Sequence, residues 1–164
     1  MQLVDDRLIL SASDLINHLE CAHLTSLDLD IARGALTLEE KRTDAADLVA
    51  RKGDEFELAH VESLRAAGRE VVEIVSEPGL EGLRRGAGRT LDAMRGGAEV
   101  IYQAVLFDGE RWRGYADVLK RVDSPSELGD WSYEVADTKL ARRVKPYFLL
   151  QLCFYSELLT SAQG

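Results

Sequence analysis

Cysteine, basic charge and long apolar runs are all scarce in this chain. Two cysteines, Cys21 and Cys153, stand among 164 residues. They are too few for a disulfide framework, so a reducing cytoplasm is the expected setting. They are also too few to hold an iron–sulfur cluster by four thiolates. No apolar run approaches the roughly 20 residues that a membrane span requires. The acidic opening MQLVDDRLIL lacks the form of a signal peptide, and no membrane partner is expected. Twenty Lys and Arg against 29 Asp and Glu leave a net charge of −9. That balance argues against a protein coating nucleic acid with its whole surface, and leaves room for a local basic groove.

What is present is an ordinary globular composition, 46% hydrophobic and 30% charged, at a length suited to one domain. Ser11-Ala12-Ser13-Asp14 has the form of a helix start, after an extended segment over residues 1–10. His18, Cys21 and His23 follow it, but no second ligand pair with metal-site spacing does, which favours packing or capping over zinc. Residues 33–43 read as a loop. A helix is expected from Asp44 to Ala67, stopped by Gly68, with Gly53 marking a kink or break. His60 lies on it, one turn from Glu57 and from Leu64.

A strand from Arg69 to Val75 and a helix from Leu80 to Met94 come next. Strands Glu99–Phe107 and Arg111–Val122 are joined by Asp108-Gly109, a hairpin signal. A strand from Trp131 to Lys139 and a helix from Ala141 to Ala162, with Pro146 in its first turn, close the chain. This order predicts an α/β (α+β) fold, a mixed sheet of about four strands flanked by helices. The last helix is apolar nearly all round and is expected to be buried. Ending so soon after it, residues 1–164 are expected to be a single domain at the N-terminal end of a longer protein.

Alternation along the Trp131–Lys139 strand puts Tyr133, Val135, Asp137 and Lys139 on one face and Glu134 on the other. An Asp-x-Lys triplet alone is weak, since Glu39-Glu40-Lys41 has nearly the same form in a polar loop. Asp117 adds to it, set between apolar neighbours in Gly114-Tyr115-Ala116-Asp117-Val118-Leu119. If the two strands pair, Asp117 and Asp137 meet on one face and repel unless a cation lies between them. Hard oxygen ligands suit Mg²⁺ or Mn²⁺, with Lys139 placed to orient or deprotonate water or to meet charge on a phosphate. The competing reading is a buried Asp–Lys pair that only ties strands together. Gln151 and Tyr155, spaced i, i+4, share a stripe with Tyr147 and need polar partners. Lys139, Arg142, Arg143 and Lys145 form the densest basic cluster, joined by Arg111 and Arg113, where a phosphate backbone would pass.

His60, Gly114-Tyr115-Ala116-Asp117, Asp137-Thr138-Lys139 and Gln151-Leu152-Cys153-Phe154-Tyr155 together resemble the motifs of the PD-(D/E)XK nuclease superfamily. The likeness is to its RecB-like branch, which includes CRISPR-associated RecB-like exonucleases and putative nucleases fused to helicases. Ser13-Asp14-Leu15 through Cys21-Ala22-His23-Leu24 is similar to the start of the latter group. The resemblance implies a restriction-endonuclease-like core. It also implies His60, Asp117 and Asp137 as metal ligands with the Thr138 carbonyl as a fourth, and Lys139 as the catalytic lysine. Gln151 and Tyr155 would line the DNA cleft. A histidine ligand suits Mn²⁺ at least as well as Mg²⁺.

Many RecB-like nucleases hold an iron–sulfur cluster through one early and three late cysteines. Cys21 sits at the early position, but Cys153 lies inside the Gln-x-x-x-Tyr helix. Cys21 would therefore serve a cluster only with ligands beyond Gly164, and no such cofactor is expected in this chain.

The leading expectation is a metal-dependent DNA nuclease hydrolysing phosphodiester bonds through a metal-activated water. Single-stranded ends or flaps, a setting in DNA repair, and a helicase or further nuclease domain in the same protein are implied by resemblance only. The other readings are a nucleic-acid-binding module with a degenerate or partner-dependent centre, and a structural α/β domain with all these polar groups paired.

Overall fold

The computed structural model describes residues 1–38, 43–138 and 143–164. Glu39-Glu40-Lys41, Lys139 and Arg142 lie outside the described residues. The fold is α+β, as expected: a mixed sheet in the order β3-β4-β5-β6, a separate two-stranded hairpin and flanking helices.

The extended segment is the hairpin β1 (Gln2–Val4) and β2 (Arg7–Ile9). Its turn places Asp5 and Asp6 at positive φ (48° and 61°), a region that short polar residues tolerate best. Asp5 also accepts the Leu80 N–H at 3.2 Å, supplying an acidic cap to the first turn of a later helix. Leu10 bridges to Trp112 and anchors the hairpin to the main sheet.

Helix α1 (Ala12–Glu20) starts where the sequence placed it, with the Asp14 carboxylate accepting the Ser11 N–H at 2.7 Å and its hydroxyl at 2.8 Å. Cys21, exposed, caps α2 (Ala22–Ala32), and His18 bonds to Thr25 across the corner at 2.8 Å. Helix α3 (Asp44–Ala66) runs unbroken through Gly53. The alternative of a break is not realised, because a single glycine lowers helix propensity by only about 1 kcal/mol, within what the remaining 22 residues tolerate.

The first strand of the sheet, β3 (Val71–Glu73), is shorter than its apolar run and pairs in parallel with β4 (Val100–Phe107). Between them α4 (Gly79–Arg95) packs on β4, and an added Cβ at Gly86 would lie 2.9 Å from the Val105 side chain. Gly86 is thus a close-packing position, whereas Gly88 faces open space.

The hairpin to β5 (Arg113–Val122) turns at Asp108-Gly109, where Asp108 Oδ1 accepts the N–H groups of Glu110, Arg111 and Trp112 at 2.7–3.0 Å. Arg111 is therefore a turn residue, outside the strand. Strand β6 (Ser132–Ala136) pairs antiparallel with β5 and ends before Asp137, earlier than expected.

Helix α5 (Pro146–Gln163) begins at Pro146 itself, because proline lacks the N–H that an interior position needs. It is less buried than its composition predicts: Tyr155 and Leu159 are buried, while Leu149 is 54% exposed and Cys153 is exposed. The core instead centres on the sheet, with Ile101, Ala104, Ala116 and Leu119 wholly enclosed. Among the described residues no helix is long and apolar enough to cross a membrane.

Candidate functional site

Register brings the two aspartates abreast. Val118 faces Ala136, so the next step of the β5–β6 ladder sets Asp117 opposite Asp137. On the other side of β5, Tyr102 faces Val118 and Ala104 faces Ala116, and the ladder skips the pair between them, Gln103 and Asp117. Gln103, Asp117 and Asp137 thus form a row across three neighbouring strands. All three are half-buried.

Gln103 has φ 54°, left-handed in the middle of a strand. A side chain other than glycine held there costs about 1–3 kcal/mol, and such residues cluster at functional sites. Its Nε2 donates to Glu57 Oε1 of α3, and the Tyr102 phenol lies near the same carboxylate. Burial pushes the Glu57 carboxyl above its ordinary range, and the negative charge of Asp117 pushes it further. A helix residue and a strand residue far apart in sequence therefore share one electrostatic site.

The segment after β6 closes the site. Thr138 donates its backbone N–H to Asp117 Oδ2 at 3.0 Å and its hydroxyl to the same oxygen at 3.3 Å. The sequence pointed to its carbonyl, whereas the structure engages its donors. The Asp137 Oδ2 is buried.

His60 lies one turn along α3 from Glu57 and is half-buried; its carbonyl accepts the Ser63 hydroxyl at 2.6 Å. Among the described residues, Glu57 bonds to the sheet through Gln103. Neither Glu57 nor Gln103 was among the site residues expected from the sequence. A signal was there: Gln103 is an amide inside the otherwise apolar run Val100–Phe107, and Glu57 heads the turn that ends at His60.

On α5, Gln151 Nε2 donates to the Tyr155 hydroxyl at 3.2 Å, the i, i+4 pair that the spacing indicates. Tyr155 packs directly on Gly114, where an added Cβ would lie 2.7 Å from its ring. Gly114 stands three residues before Asp117, about 10 Å at strand rise. The Gly-Tyr-Ala-Asp motif thus links the helix pair to the carboxylate row.

Arg143 and Lys145 are exposed just ahead of α5, whose first turn has no acidic residue, and Lys145 lies over the Tyr147 ring at 5.4 Å. Two cations at the positive end of a helix repel its dipole and together suit an anion. Arg113 is used otherwise, stacked 5.3 Å over Tyr115.

Among the described residues, no three His, Cys, Asp or Glu side chains are gathered closely enough to hold a metal ion. The donor chemistry of the row fits a hard cation all the same. Glu57 and Asp117 repel each other, and the two Thr138 donors that hold Asp117 are neutral.

Comparison with protein-family models, curated proteins and solved structures finds no match to this chain. The RecB-like resemblance rests on the motifs and their order alone.

Proposed function

We propose that the chain is a metal-dependent deoxyribonuclease domain, similar to the RecB-like branch of the PD-(D/E)XK superfamily, that hydrolyses phosphodiester bonds at single-stranded ends or flaps. The observation that carries this reading is that Asp117 and Asp137 stand abreast where β5 meets the end of β6, with the Glu57 carboxylate of α3 near enough to feel the Asp117 charge. Bound Mg²⁺ or Mn²⁺ would neutralise the carboxylates and supply Lewis-acid activation of water and phosphate.

The chain's own groups divide the remaining work. Asp117 and Asp137 would hold the cation from the sheet and Glu57 from α3, with His60 a further candidate one turn away. Thr138 fixes the Asp117 carboxylate through two donated bonds. Lys139, two residues beyond Asp137, brings an ammonium to the charge that develops on the phosphate. Arg142, Arg143 and Lys145 neutralise the backbone ahead of α5, and Gln151 with Tyr155 lines the path to the carboxylates.

A second reading, a nucleic-acid-binding module whose centre is degenerate or completed by a partner, rests on the basic approach to α5, which needs no carboxylates. Labelled single- and double-stranded DNA, incubated with and without Mn²⁺, separates the two. The nuclease reading expects cleavage that requires Mn²⁺ and falls roughly 100-fold or more in Lys139→Ala and Asp117→Asn. Binding without cleavage favours the second reading. Undiminished cleavage by both variants points to a contaminating nuclease and removes the site assignment.

A further inference from the structure

Successive residues of a strand send their side chains to opposite faces. Tyr102 and Gln103 are successive residues of β4, yet Gln103 hydrogen-bonds to Glu57 and the Tyr102 phenol also lies near that carboxylate. The exception coincides with the φ of 54° at Gln103 and with the gap in the ladder opposite Asp117. Nothing in the local sequence calls for a left-handed residue there, as neither glycine, asparagine nor a turn is present.

We infer that Gln103 is a positioning residue of the proposed cation site, its left-handed backbone aiming the side-chain amide so that it clamps Glu57 of α3 beside Asp117. This rests on the functional reading above and adds to it a residue outside the ligand set. A glutamine suits the task chemically. An Arg or Lys in its place would orient Glu57 but cancel its charge and compete with the cation. The amide donates one bond and leaves the carboxylate negative, with its second oxygen available. The nearby Tyr102 phenol is neutral in the same way.

The test is Mn²⁺ titration of the full chain by calorimetry, without DNA, on the parent, Gln103→Gly and Gln103→Ala. Glycine removes the amide but relieves the backbone, two opposing effects, so Gln103→Gly is expected to unfold within a few degrees of the parent in either direction. Should Gln103→Ala fold poorly, the glycine variant still carries the measurement. Outer ligand-orienting partners typically change metal affinity 10–100-fold, and a rise in Kd of roughly that size is expected. Cleavage at saturating Mn²⁺ should return to near the parent rate, because positioning of a ligand is restored by mass action.

An unchanged Kd in Gln103→Gly overturns the positioning role and leaves the parent's Mn²⁺ binding, and so the functional reading, standing. A rate that stays low at saturating Mn²⁺ overturns it too, since Gln103 would then act on the reaction itself. A parent that binds no Mn²⁺ overturns the functional reading and this inference with it.

Discussion

Glu57 is the residue at which the energetic tension of the site is most direct. Burial and the neighbouring Asp117 charge raise its pKa above the ordinary glutamate value. In the unfolded chain the carboxyl ionises near that ordinary value, while in the folded chain it holds its proton to higher pH. Between the two pKa values the native state therefore binds more protons, and this group's contribution to stability falls as pH rises through that window. Glu57→Gln keeps a hydrogen-bonding side chain and removes the charge. Without metal it should be more stable than the parent at neutral pH, and the difference should vanish as pH drops below about 4.5, the ordinary glutamate range. Denaturant unfolding at several pH values, with chelator present, measures this. A variant less stable than the parent at neutral pH would show that the bond donated by Gln103 outweighs the repulsion from Asp117.

At the scale of elements, the site depends on how closely α5 approaches β5. An alanine at position 114 would bring its Cβ to 2.7 and 2.8 Å from two ring carbons of Tyr155, closer than such atoms approach. Gly114→Ala should cost about 1–3 kcal/mol through forced overpacking. It should also shift Tyr155 and Gln151 together, weakening DNA affinity more than Mn²⁺ affinity, a contrast that paired binding measurements read directly. The helix and hairpin positions behind this packing were legible in the sequence because their signals are local. Ser11 with Asp14 starts α1, Asp108-Gly109 turns the hairpin, and Pro146 starts α5. The pairing of Asp117 with Asp137 was legible too, since alternation fixes the face each residue takes once two strands are neighbours. The Glu57–Gln103 contact spans 46 residues and depends on a backbone torsion that no glycine or turn sequence announces. Burial of α5 was misjudged for a different reason. A helix apolar on every side gives no stripe to show which face meets the sheet, and only the Tyr155–Leu159 row is covered.

Across the whole molecule, α3 is among the loosely joined elements. Of its 23 residues only Val61 is buried. Its tie to β3 through Arg65 and Glu73 is a 3.5 Å exposed ion pair, worth little in water. The Glu57 cluster is therefore a large share of what fastens this helix to the sheet, and a cation shared by Glu57, Asp117 and Asp137 would bridge the two. Binding to the folded state alone stabilises by mass action, about 2.7 kcal/mol at a concentration 100-fold above Kd. For a chain of this size that corresponds to a rise in Tm of roughly 5–10 °C. A net charge of −9 also attracts divalent cations without any site, so a rise in Tm by itself does not locate the ion. Glu57→Gln and Asp117→Asn supply the control, because each alters the net charge by one unit and the proposed bridge entirely. Mn²⁺ should raise the parent's Tm and slow amide exchange across the second half of α3, with both effects largely lost in either variant. Equal stabilisation of all three proteins would mean that the ion acts through the general surface charge, and that α3 is joined to the sheet by the Glu57–Gln103 clamp without a metal bridge.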